Sequence, residues 1–147
     1  MNMLRMLPLA CLLAAGTAQA QAASECPLLP GDAALSWSAM TGDDFVFCKA
    51  LRDNGDEVFA VMISNDSPFN PRRADRAEEA VIDGHEMHWY RAEIASAPDT
   101  EVREALIELD DGRVAHISLR ASSEAELADA LGQAQALRFR GPQLSSN

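Results

Sequence analysis

Most local signatures of chemistry are missing from this sequence. Its 147 residues contain no G-x-S-x-G elbow, no glycine-rich phosphate loop and no C-x-x-C pair. The usual sequence evidence for a hydrolase, a nucleotide-binding site or a thiol redox centre is therefore absent. Histidine occurs three times, and lysine once, at Lys49. Basic residues number 12 against 23 acidic ones, a net charge of −11. That balance repels nucleic acid and anionic headgroups and favours solubility, so neither is an expected partner. No repeat or low-complexity tract is present, and only one apolar run stands out.

That run, "LPLACLLAAG" at 7–16, follows the basic start "MNMLRM" and precedes "TAQA". About ten apolar residues are too few for a bilayer span, which needs about twenty. Ala18-Gln19-Ala20 fits an A-x-A cleavage site, so residues 1–20 read as a secretory leader, cut after Ala20 or else after Ala22. Cys11 offers a lipoprotein alternative, but Pro8 stands where a Leu-type residue is expected. The expected product is one exported domain, 21–147 with an ordered core over 26–140, periplasmic or secreted, and with no later transmembrane span. Without Arg5 it holds 11 basic and 23 acidic residues, a net of −12. Cys26 and Cys48 are then the only cysteines, and an even pair in an oxidising compartment reads as a disulfide.

Three dipeptides divide the chain: Asn54-Gly55, Asp83-Gly84 and Asp111-Gly112. Each lies between strand-like segments and suits a two-residue turn, predicting hairpins at 45–64, 77–94 and 102–121. Counting outward from such turns places Cys48 opposite Val61, Glu79 opposite His88, Leu106 opposite Ile117, Leu109 opposite Val114, and His116 opposite Ile107. The first hairpin is apolar on both faces, as expected of a sheet covered on both sides or of an exposed contact patch. After the third hairpin, Ser123 with Glu126 makes a capping box, and Leu127, Ala130, Leu131, Ala134 and Leu137 repeat at helical spacing. The segment 31–44 is expected to form a short helix from Asp32 to Met40, and 65–77 a long surface loop. The fold class is α+β: an antiparallel sheet of about six strands with a C-terminal amphipathic helix packed on it. The ending "ALIELDDGRVAHISLRASSEAELADALGQAQALRF" resembles the close of PsbP-like exported α+β domains. The resemblance covers about forty residues, implies a fold only, and carries over no functional residue.

"HEMH", His85 to His88, invites a metal reading. H-E-x-x-H needs one more residue and a helix, whereas on a strand His85 and His88 point to opposite faces. No metal ligand set and no cofactor are expected. Glu79, Glu86 and His88 do share one face and form a weak acid–base or cation-binding candidate; otherwise they are a solvated cross-strand pair. "NPRRADR" gathers Arg72, Arg73 and Arg76 in five positions of a loop, next to Phe69. Three guanidinium groups beside an aromatic ring suit binding of carboxylates or phosphates on a protein partner. The bland alternative has them neutralising the chain's own acids. The expectation is a non-enzymatic exported binding or accessory protein, inhibitor- or immunity-like. A small hydrolase or metal-dependent enzyme using Glu79, Glu86 and His88, or a purely structural envelope component, stands as the alternative.

Overall fold

A computed structural model describes residues 25–139. The expected leader and the tail from residue 140 lie outside them. Seven strands and a helix follow in order: β1 Leu35–Thr41, β2 Phe45–Arg52, β3 Glu57–Ser64, β4 Arg76–Ile82, β5 His85–Ala92, β6 Glu101–Glu108, β7 Val114–Ala121 and α1 Glu124–Gln135. The strands form one antiparallel sheet in the order β1-β2-β3-β7-β6-β5-β4. Two meanders, β1–β3 and β4–β7, thus meet along a single β3–β7 seam. The three expected hairpins are all present, at β2–β3, β4–β5 and β6–β7.

The seventh strand corrects the expectation of a short helix from Asp32 to Met40. Leu35, Trp37 and Ala39 alternate with Ser36 and Ser38, and only the former turn toward the core. Period two gathers these apolar groups on one side, whereas a helix would scatter them. Trp37 donates from Nε1 to the Pro27 carbonyl at 2.8 Å and meets Phe59 edge-on at 5.8 Å.

The turns are not alike. Only Asp83-Gly84 has positive φ at both residues, 49° and 84°, as a two-residue turn requires. At Asn54-Gly55 and Asp111-Gly112 the glycine alone is left-handed, with φ of 88° and 84°. There the loops hold three residues, closed by Gly55 N–H to the Arg52 carbonyl and Gly112 N–H to the Leu109 carbonyl, both 2.9 Å. Asn54 Oδ1 accepts from Asp56 N–H, and Asp111 Oδ1 from Arg113 N–H, each at 3.0 Å. These side-chain bonds favour the longer turn.

The third hairpin consequently slips by one residue from the expected pairing. Ala105 lies opposite Ile117, His116 opposite Leu106, and Val114 opposite Glu108. In the first hairpin Cys48 still faces Val61, because β3 carries an extra residue: Leu51 pairs with Glu57 but Ala50 with Phe59. The skipped residue, Val58, is a bulge that restores the register.

One face of the sheet is covered and holds the core: Cys48, Phe59, Val61, Ile82, Trp89, Ala105, Ala115 and Ile117 are fully buried. Helix α1 lies on it with Leu127, Ala130 and Ala134 inward, and Leu137 follows them into the core. Ser123 Oγ accepts from Glu126 N–H at 3.1 Å, while the Glu126 carboxylate accepts from Ser122 N–H and Oγ at 2.7 and 2.6 Å. The cap is therefore shared between two serines. Beside the helix, Cys26 is joined to Cys48 by a disulfide, and Leu28 exchanges backbone hydrogen bonds with Arg138 at 2.8 and 3.2 Å. Among the described residues no helix is long and apolar enough to cross a membrane.

Candidate functional site

The other sheet face carries most of the residues singled out from sequence. The segment 65–75 leaves β3 and must reach β4 at the far edge of the sheet. It crosses this second face and is fastened by Phe69, whose ring stacks on His116 at 4.9 Å, nearly parallel, and meets Tyr90 edge-on at 5.9 Å. His116 in turn lies 3.0 Å through Nε2 from Glu104 Oε1, and both are partly buried. Phe69 is thus spent on holding the loop down.

The loop arginines differ among themselves. Arg72 Nε reaches Asp75 Oδ2 at 2.7 Å, so this charge is answered within the loop. Arg73 and Arg76 are exposed and form no ion pair with another described residue. Arg76 opens β4 opposite Tyr90, so it shares Tyr90's face, over which the Phe69 anchor sits.

Glu79 lies opposite His88, as counted from the turn, with Nε2 to Oε1 at 3.3 Å. Glu86 lies on the same face and opposite Val81. A bulge between Arg76 and Glu79 lets both residues face the same way although they are three apart. The three candidate side chains do come together, but openly: the Glu79 side chain is 85% exposed and that of His88 28%. They line a shallow surface depression with Val81 and Met87. His85 is on the covered face opposite Ile82, so the two histidines diverge as strand geometry demands. Among the described residues no group of three or more His, Cys, Asp or Glu side chains could hold a metal ion.

A second depression lies alongside. Strands β5 and β6 pair over three residues only, Tyr90 with Glu104 through Ala92 with Val102. Toward the turns they part, and the gap is lined by Glu86, His88 and Tyr90 from one strand, Leu106 and Glu108 from the other, and Pro71 of the loop. Glu104 and Leu106 were not flagged by sequence. The one-residue slip of the third hairpin, which turns Leu106 onto this face beside His116, is what places the apolar contribution here.

No protein-family model, curated protein or solved structure matches this chain.

The bulge has a further effect on the covered face. It turns Glu78 inward, toward Arg103 of β6, which is only 5% exposed. Arg103 donates from Nε and Nη2 to Glu78 at 2.9–3.2 Å and from Nη1 to Glu101 at 2.8 Å. Burial alone would raise the Glu78 pKa; the hydrogen bond and charge of Arg103 outweigh it, and the net is below the ordinary glutamate value. Both carboxylates are spent on a structural cation, which explains why a buried arginine is tolerated.

Proposed function

We propose that this is an exported binding protein of a bacterial-type envelope, inhibitor- or immunity-like, which engages a protein partner through the 65–77 loop and the sheet face beneath it. The observation that carries this reading is the pair Arg73 and Arg76, exposed and unanswered on a chain of net charge −11. An acidic chain has carboxylates to spare for its few cations; among the described residues Arg73, Arg76, Arg91 and Arg120 form no ion pair, and of these Arg73 and Arg76 stand together, at the end of a loop that Phe69 ties to a rigid sheet. Preorganised guanidinium groups lose little entropy on meeting carboxylates. Export is supported by the leader-like start and by the disulfide, which suits an oxidising compartment.

Arg73→Ala with Arg76→Ala, in the purified oxidised protein, is expected to weaken capture of a partner from envelope extract at least about tenfold. Arg72→Ala, whose charge Asp75 already answers, is expected to matter less. Capture unchanged in the double variant sinks this surface.

The contact of His88 with Glu79 supports a second reading, acid–base chemistry by Glu79, Glu86 and His88 on a small substrate. It predicts turnover in a screen of ester, amide and glycoside substrates that His88→Ala removes. No turnover in the parent protein ends it.

A further inference from the structure

The two edges of the sheet are built in opposite ways. Edge strand β4, "RAEEAVI", carries Arg76, Glu78 and Glu79, contains the bulge, and is preceded by Arg72 and Arg73. Charges and bulges are the devices by which proteins stop an edge from pairing with another chain. Edge strand β1, "LSWSAMT", has none of them. Its ladder to β2 runs through seven consecutive pairs without a shift, from Leu35–Arg52 to Thr41–Val46. No charged residue or proline falls between residues 33 and 42, in a chain that is 24% charged. Among the described residues its backbone is paired on the β2 side only. Met40, at its end, is 57% exposed.

We infer that β1 is a homodimer edge: two copies join their β1 strands antiparallel about a two-fold axis at Ser38, making one continuous fourteen-stranded sheet, twice the seven of one copy. The occupant is a second copy because the strand is self-complementary about that axis. Trp37 meets Ala39, Leu35 meets Thr41, and Met40 meets Ser36, so each large side chain lies against a small one. Both helices fall on the same side of the joined sheet, since the axis stands perpendicular to it and keeps the faces matched. Each copy has one unprotected edge and one blocked edge, so the contact closes as a dimer and cannot propagate into a fibre. It also joins two acidic chains at the longest uncharged stretch of the sheet. Just outside the strand, Asp32 of one copy comes opposite Asp44 of the other, so salt that screens these carboxylates strengthens the dimer.

Sedimentation of the purified oxidised protein tests this. The expected result is a concentration-dependent dimer whose population rises with sodium chloride. Ser38→Lys places a charge against its own symmetry mate on an exposed, outward position and is expected to weaken the dimer at least about tenfold. Ser38→Cys is expected to cross-link two copies on mild oxidation, and Val81→Cys on the blocked edge is not; both keep the fold, as circular dichroism checks. A monomer up to the highest soluble concentration overturns the inference. So does a dimer that Ser38→Cys fails to cross-link, or one that Val81→Cys cross-links as readily. Stoichiometric pairing of β1 with a foreign chain instead of a second copy also overturns it.

Discussion

Arg103 shows how little of the energetics is written locally. Nothing around "EVREAL" distinguishes it from the other arginines, because its partner Glu78 lies two strands away and faces inward only through the β4 bulge. Arg103→Met is expected to destabilise the protein at neutral pH by about 1–3 kcal/mol, less than for a fully enclosed pair because the Glu78 side chain is 38% exposed. The lowered pKa of Glu78 sets the sign of its pH dependence. A carboxylate depressed by folding contributes stability that is present above its ordinary value of 4.5 and is lost as pH falls through the lower folded value. The gap between parent and Arg103→Met should therefore be constant at neutral pH and close in acid below that value. Urea unfolding across this range measures it; a gap that persists in strong acid contradicts the ion-pair account. The site residues were legible in the same uneven way. The Glu79–His88 opposition followed from counting out of a two-residue turn, whereas the capture of Phe69 by His116 joins positions far apart in the chain and left no local pattern.

Among the elements, α1 was the most legible, since cap and apolar stripe are both local: Ser123→Ala removes one cap bond that sequence alone identified. The turns were harder. Asn54-Gly55, Asp83-Gly84 and Asp111-Gly112 look interchangeable, and what separates them is where the side chain goes. Asn54 and Asp111 bond forward within their own loops. Asp83 instead reaches Phe139, 56 positions further along the chain: its Oδ2 accepts from Phe139 N–H at 2.8 Å. Its Oδ1 lies 3.6 Å from Arg138 Nε. Asp83→Ala is expected to cost about 2 kcal/mol, from a left-handed alanine and a lost hydrogen bond together. Amide exchange at Phe139 should accelerate in that variant; a Phe139 amide as protected as in the parent would falsify the assignment. Strand β1 was readable in retrospect from L-S-W-S-A, where period two competes with a helix start at Asp32 and burial of Trp37 decides.

For the molecule as a whole, class and the three hairpins were in the sequence, but the strand order was not. Hairpins specify neighbours; which hairpin joins which depends on burial summed over the sheet, and the β3–β7 seam has no local signal. The disulfide was readable once Cys11 was assigned to the expected leader, which leaves two of the three cysteines and one pairing. Replacing both Cys26 and Cys48 by alanine is expected to cost about 3 kcal/mol for a loop of 22 residues, measured by denaturant unfolding against the oxidised parent. An equal midpoint would show that packing alone holds the start of the chain.

Both cysteines precede the second meander in the chain, Cys26 ahead of β1 and Cys48 within β2. The covalent link can therefore close while residues 76–121 are still unfolded. Arg138 later docks on Leu28, two positions beyond Cys26. The stretch around Arg138 can thus settle on a shelf that oxidation has already fastened, which gives thiol chemistry a say in the sequence of assembly as well as in the durability of the product.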